Sequence, residues 1–153
     1  MENTQATIET LNDLIKINND RIEGYEKATN DLADGDTDLK DLFTSLIGES
    51  QQNKMALGTE IQALGADIDN TTSTSGSLHR TWLDIKAAFT GHSTKSVLEE
   101  CEFGEDAIKK AYAKALEMEH LPAYIRDLLA EQKTAIDAAH DDVKALRDSY
   151  ENA

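Results

Sequence analysis

Hydrophobic residues recur along this chain in alternating steps of three and four, which is the spacing of one buried stripe on an α-helix. The first stripe begins at Ile8, and a break at Asp34-Gly35-Asp36 follows it. A second stripe runs from Leu39 to Leu64, includes Met55 and ends just before Gly65. Because the break is short, the two helices are predicted to form an antiparallel hairpin. The first stripe consists of Ile8, Leu11, Ile15, Asn18, Ile22, Tyr25, Thr29 and Leu32.

The second half of the chain repeats this design. Ser96 and Glu99 form a capping box that opens a third long helix. Pro122 suits the first turn of a fourth helix, whose apolar positions extend to Leu146. These helices predict a second hairpin. The stripe of the third helix contains Leu98, Cys101, Glu105, Ile108, Tyr112 and Ala115.

A long crossover, about residues 66–95, joins the two predicted hairpins. It contains a polar low-complexity stretch at 69–77 and then a short amphipathic helix that carries Trp82 and Phe89. A connection of this length can run along a whole bundle, which distinguishes ferritin-like topology from simple up-and-down bundles. The predicted fold is therefore all-α: a single four-helix-bundle domain over residues 1–153, with two hairpins and a crossover that includes an extra helix.

The charge balance narrows the functional classes. The 153 residues include 15 basic and 30 acidic side chains, a net charge of −15, so nucleic acid and anionic membranes are not expected partners. The 39% of apolar residues is enough for a core, but no apolar run could span a bilayer. With no leader-like N-terminus and one cysteine, Cys101, a cytoplasmic location is expected.

The two halves share polar positions as well as apolar ones. Asn18 precedes Tyr25 by seven residues, as Glu105 precedes Tyr112. Leu46-Ile47-Gly48-Glu49 similarly matches Leu128-Leu129-Ala130-Glu131, so the halves are either a duplication or convergent helix patterns. On these features, and on the segments 11–15 and 18–25, the chain resembles the ferritin-like four-helix bundles. It is similar in particular to a family of small bacterial proteins described as a domain of unknown function, which implies no known reaction.

The ferritin-like resemblance implies a metal site to test. Such bundles place one glutamate on the first and third helices and Glu-x-x-His on the second and fourth, where they hold two iron or manganese ions. This sequence lacks both histidines and one of the four glutamates, so a full di-iron oxidase site is not expected. What is left is a candidate site for one weakly held cation. The matching positions are Asn18, Glu49 with Gln52, Glu105, and Glu131 with Thr134.

Each of these residues also has a structural interpretation. Glu105 on an apolar stripe is either a metal ligand or a buried carboxyl hydrogen-bonded to Asn18, Tyr25, Tyr112 or Gln52. Asn18 in the interior is explained most simply as a residue that sets helix register. Cys101 is expected to be a small buried residue and not a nucleophile.

No phosphate-binding loop, nucleophile elbow or Cys-x-x-Cys motif occurs in the sequence, so no catalytic residue and no organic cofactor are expected. The first hypothesis is a non-catalytic bundle that acts by self-association or partner binding, with a stress response as the expected setting. The alternative is iron or manganese binding or oxidation at the degenerate carboxylate site. Trp82 and Phe89 are expected either to pack on the bundle or to dock a second copy or another protein.

Overall fold

The computed structural model describes residues 2–31, 37–69 and 94–151. Within these ranges the chain forms four α-helices and no strand, which confirms the predicted all-helical bundle. The predicted short crossover helix, with Trp82 and Phe89, lies outside the described residues. The helices are α1 (Glu2–Asp31), α2 (Thr37–Ala63), α3 (Thr94–Leu116) and α4 (Ala123–Glu151).

The helices pack as two hairpins set side by side. α1 packs most extensively on α2, and α3 on α4, while smaller contacts join α1 to α3 and α2 to α4. Thr10 contacts Met118, and Arg21 contacts Glu105, so α1 runs antiparallel to α3. Since α1 is also antiparallel to α2, as the pairs Asn18–Asn53 and Arg21–Glu49 show, α2 and α3 run in the same direction.

The described residues of the predicted stripes are buried or half-buried, except for one residue of α2. All six positions of the third-helix stripe lie in the core. Met55, which was assigned to the second stripe, is instead 73% exposed. The buried side of α2 passes from Leu46 to Leu57 through two polar residues, Ser50 and Asn53, so the hydrophobic pattern alone misplaces the stripe there.

Glycine marks the end of α2, as predicted. Gly65 has φ of +85°, a left-handed conformation that costs other L-residues energy. The chain then folds back on the helix hairpin. The backbone nitrogen of Asp69 donates a hydrogen bond of 2.8 Å to Asn12 Oδ1, and Ile68 packs so closely on Gly58 that a Cβ there would lie 2.7 Å from Ile68 Cδ1.

The hydrophobic core consists of two clusters. One contains Leu11 and Ile15 with Ile61 and Ile125; the other contains Tyr25, Phe43, Cys101 and Val143. Along α1 these clusters are separated by the segment 18–21, which is polar. No helix in the described ranges is long and apolar enough to cross a membrane.

Candidate functional site

A layer of polar side chains crosses the bundle between the two hydrophobic clusters. Every helix contributes to it, and most of its members are fully buried. Buried polar groups are costly unless they bond to one another, so the layer must be internally satisfied to be stable. We call these residues the polar layer: Asn18, Arg21, Glu49, Ser50, Asn53, Glu105, Tyr112 and Gln132.

Arg21 is the only cation in this layer, and its side chain has no exposure to solvent. Its Nε donates a hydrogen bond of 2.9 Å to Glu105 Oε2, and its Nη2 bonds the other oxygen of the same carboxylate. Its Nη1 donates to Glu49 Oε1 at 2.9 Å and to Ser50 Oγ at 3.1 Å. The planar guanidinium thus forms a bidentate pair with Glu105 and bridges three helices.

A closed ring of hydrogen bonds lies next to Arg21, with one residue from each helix. Asn18 Nδ2 donates to the Tyr112 hydroxyl at 3.0 Å, and that hydroxyl donates to Gln132 Oε1 at 2.7 Å. Gln132 Nε2 donates to the backbone oxygen of Asn53 at 3.3 Å, and Asn53 Nδ2 donates back to Asn18 Oδ1 at 3.3 Å. Because the ring needs all four side chains at one level, it sets the register of the four helices against one another.

Burial controls protonation in this layer. Burial alone would lower the pKa of Arg21, but the adjacent Glu105 carboxylate outweighs it and raises that pKa, so the arginine stays charged. Burial raises the pKa of Glu105, which the Arg21 guanidinium opposes. Burial also raises the pKa of the Tyr112 and Tyr25 hydroxyls, which therefore stay neutral.

The five sequence-based metal candidates are only partly brought together. Glu49 and Glu105 converge, but on the guanidinium of Arg21. Asn18 lies one turn away in the hydrogen-bonded ring, with its amide nitrogen also donating to Leu14 O at 2.8 Å. Gln52 and Glu131 are exposed on the outer sides of α2 and α4. The predicted hydrogen bond between the buried Glu105 and Gln52 is therefore wrong.

The polar layer does not fit a di-metal centre. The position between the two converging carboxylates holds a permanently cationic side chain, and a metal ion there would lie against like charge. Thr134 donates to the backbone oxygen of Ala130 at 3.0 Å and is exposed. Across the described ranges, no group of three or more His, Cys, Asp or Glu side chains is arranged to hold a metal ion.

Sequence analysis missed four members of the layer: Arg21, Ser50, Asn53 and Gln132. A signal for each was present. Ser50 and Asn53 continue the steps of three and four between Leu46 and Leu57, and Gln132 does so between Leu129 and Ile136. Arg21 lies three residues after Asn18 and four before Tyr25, so it fits the helical steps as well as Ile22 does.

An acidic groove of about 510 Å³ lies between α3 and α4, apart from the polar layer. Its central carboxylate, Glu102, is paired with Arg147 and lies 3.8 Å from His140 Nε2. Phe103 stands at its edge, 70% exposed. The central carboxylate is thus already neutralised by side chains of this chain.

Comparison with known proteins identifies the family. The family described as "Domain of unknown function (DUF2383)" matches residues 6–118, most of the chain, and the chain therefore belongs to it. No curated protein matches the chain. The matched region includes α1 from residue 6 onward, α2 and α3, and with them every charged residue of the polar layer.

Proposed function

We propose that this member of the DUF2383 family is a non-catalytic, ferritin-like bundle that acts through its surface, by self-association or by binding a partner. The observation that carries the proposal is the fully buried pair of Arg21 and Glu105. It provides within the chain the positive charge that ferritin-like proteins obtain from metal ions. The fully buried pair is thereby neutral, and the second carboxylate of the layer, Glu49, bonds the same guanidinium.

The arrangement of the helices supports the ferritin-like part of the proposal. α2 ends beside the cluster that contains Leu11, Ile61 and Ile125, whereas α3 begins beside the cluster of Tyr25, Phe43 and Val143. The end of α2 and the start of α3 are therefore at opposite ends of the bundle. Such a parallel pair of second and third helices is the feature that a long crossover makes possible. A role in a stress response is part of this proposal.

The rival hypothesis is an iron or manganese site at Glu49, Glu105 and Glu131, with Gln52 and Asn18. It requires Arg21 to leave the carboxylates and two exposed side chains to turn inward. Each of these steps costs energy, because the guanidinium would lose four hydrogen bonds and leave its partners unpaired.

Metal content of the purified full-length chain tests the proposal. The chain is incubated with Fe(II) without oxygen, or with Mn(II), then desalted, and bound metal is measured by mass spectrometry. We expect sub-stoichiometric metal and Fe(II) oxidation in air no faster than in buffer alone. Stoichiometric metal that Glu105→Gln removes, while the exposed-site variant Glu9→Gln keeps it, would overturn the proposal in favour of the rival.

A further inference from the structure

The guanidinium of Arg21 is surrounded by oxygen atoms that belong to other helices. Glu105 of α3 presents both of its carboxylate oxygens, and Glu49 and Ser50 of α2 present one oxygen each. Glu105 and Ser50 are fully buried, so these oxygens are held inside the bundle. The aromatic ring of Tyr25 closes another side, with its centroid 6.0 Å from the guanidinium carbon. A planar cation is therefore bound here by several acceptors and one aromatic ring.

We propose that these residues form a binding site for guanidinium and monoalkylguanidinium ions, which Arg21 fills as a tethered ligand. We call the site the guanidinium pocket: Glu49, Ser50 and Glu105, with the ring of Tyr25. The inference rests on the proposed function, in which Arg21 supplies the interior cation, and deepens it by naming the class of ligand. In the native chain the tether keeps the pocket filled. When the side chain at position 21 is truncated, a small guanidinium compound takes its place.

The geometry of the pocket selects a planar guanidinium over an ammonium ion. Nε and Nη2 of Arg21 reach the two oxygens of Glu105, while Nη1 donates at 2.9 Å to Glu49 and at 3.1 Å to Ser50. A free guanidinium ion has the same three coplanar nitrogens, and methylguanidinium also has a carbon atom where the arginine stem approaches. An ammonium ion is a compact point charge without paired donors for a carboxylate. The aromatic ring also favours a delocalised cation.

Electrostatics favours refilling of an emptied pocket. α1 and α4 each pack on both α2 and α3, so α2 and α3 lie diagonally across the bundle. Without the guanidinium, Glu49 of α2 and Glu105 of α3 would point towards one interior position that holds no cation, which is costly. Glu49 is 25% exposed, more than any other member of the polar layer, and so marks the side from which a small ion reaches the pocket.

Urea unfolding of the full-length Arg21→Ala variant with added methylguanidinium tests the proposal. Circular dichroism follows unfolding at about pH 8, because burial raises the pKa of Glu105 and the pocket binds the ionised carboxylate. We expect a Kd on the order of 1 mM for so small a ligand. The ratio of folded to unfolded chain should then rise about elevenfold at about 10 mM methylguanidinium, a concentration far below the denaturing range.

Matched controls separate the pocket from general effects of the added salt. Methylammonium at the same concentration carries the same charge without the coplanar nitrogens, and should leave the stability of Arg21→Ala unchanged. The unmodified chain, whose pocket is filled, should gain nothing from methylguanidinium. The double variant with Arg21→Ala and Glu105→Gln should also gain nothing, because it lacks the carboxylate that forms the bidentate pair.

Arg21→Lys tests the same selectivity without any added ligand. Lysine keeps the positive charge and a long side chain but cannot form a bidentate pair with a carboxylate. We therefore expect Arg21→Lys to unfold at a lower urea concentration than the unmodified chain. An Arg21→Lys variant as stable as the unmodified chain would show that the pocket responds to charge alone, and would contradict the proposal.

Absence of any gain in the stability of Arg21→Ala overturns the proposal. If that variant is unfolded without ligand, failure of methylguanidinium to restore its helical circular dichroism overturns it as well. An equal gain from methylammonium or from Mn(II) would show a site for cations in general and would also contradict it. Stoichiometric metal in the unmodified chain would instead overturn the proposed function, so the two failures are distinguishable.

Discussion

Arg21 lies at the centre of the bundle with its entire side chain excluded from solvent. Its charge is tolerated because four hydrogen bonds and two carboxylates surround it, and because Glu105 takes the guanidinium in a bidentate pair. Such a pair adds little net stability over well-packed apolar residues, but losing one partner leaves the other as an uncompensated buried charge. The pair is therefore a strong constraint on which residues can occupy both positions.

The Arg21–Glu105 pair gives a clear mutational test. Arg21→Leu and Glu105→Leu are each expected to lower the free energy of unfolding by about 3–5 kcal/mol. Arg21→Leu leaves the buried Glu105 without its cation, and Glu105→Leu leaves the buried Arg21 with the partly exposed Glu49 as its remaining carboxylate. The double variant should lose much less than the sum of the two, because no unpaired charge remains between them. Urea unfolding monitored by circular dichroism measures all three variants.

Glu49 provides the control for this cycle. Its side chain is 25% exposed, so water can replace part of its bond to Arg21, and Glu49→Gln should cost distinctly less than Glu105→Leu. If the free energies of unfolding lost in Arg21→Leu and Glu105→Leu add up to the loss in the double variant, the two side chains do not stabilise each other as a pair.

At the scale of elements, the end of α2 shows how local chemistry places a helix end. Gly65 adopts the left-handed conformation, and the backbone of Ala66 bonds back to Ile61 O at 3.1 Å, which caps the helix. The following residues then pack on the hairpin: Asp69 forms a 3.2 Å ion pair with Lys16. A turn at this position thus ties α2 to α1 beyond their direct packing.

Two glycine variants distinguish the contribution of the helix cap to stability from that of intrinsic helix propensity. Gly65→Ala is expected to destabilise the chain by about 1 kcal/mol, because alanine at φ of +85° is strained. Gly48→Ala, in the middle of the same helix and with open space at its Cβ, should stabilise it by about 0.5–1 kcal/mol. Thermal unfolding of both variants checks the signs, and a stabilising Gly65→Ala would contradict the assigned cap.

At the scale of the whole molecule, charge is distributed unevenly between the inside and the outside of the bundle. Inside the bundle Arg21 is bonded to Glu105 and Glu49, and the exposed helix surfaces carry most of the acidic excess. A net charge of −15 disfavours association through strongly acidic surfaces, because like charges repel.

Buried ionisable groups on α1 and α3 predict an alkaline limit to stability. Burial raises the pKa of Cys101, Tyr25 and Tyr112 above the ordinary values of 9.0 for cysteine and 10.0 for tyrosine. Above about pH 9 the unfolded chain releases protons that the folded chain retains, so the free energy of unfolding falls as pH rises. Each group contributes up to about 1.4 kcal/mol per pH unit.

Unfolding in urea from about pH 8 to about pH 11 measures this slope. Cys101→Ala and Tyr112→Phe should each make it shallower, since each removes one group that must ionise on unfolding. Tyr124→Phe, at a residue 54% exposed on the surface, is the comparison variant and should leave the slope near that of the unmodified chain. Equal slopes in all four proteins would show that burial of these groups does not control the alkaline limit.

The sequence by itself determined the four helices, the two hairpins and the inward direction of Asn18, Cys101, Glu105 and Tyr112, because helical periodicity is a local property that each segment carries alone. It also indicated that Glu105 needed a partner, since a carboxylate on an apolar stripe is unstable without one. It assigned Met55 to the core wrongly, because the apolar pattern of α2 is interrupted by the buried Ser50 and Asn53.

Only the tertiary structure decided which partner Glu105 has. Arg21 and Ile22 are adjacent on α1, and periodicity does not say which of them faces α3; the packing of three helices at one level does. The hydrogen-bonded ring that includes Asn18 and Gln132 likewise could not be predicted from the sequence, because it depends on the relative register of four separate helices. The hydrophobic pattern of each segment determines which residues its helix buries. The packing of the helices against one another determines which partners those buried residues bind.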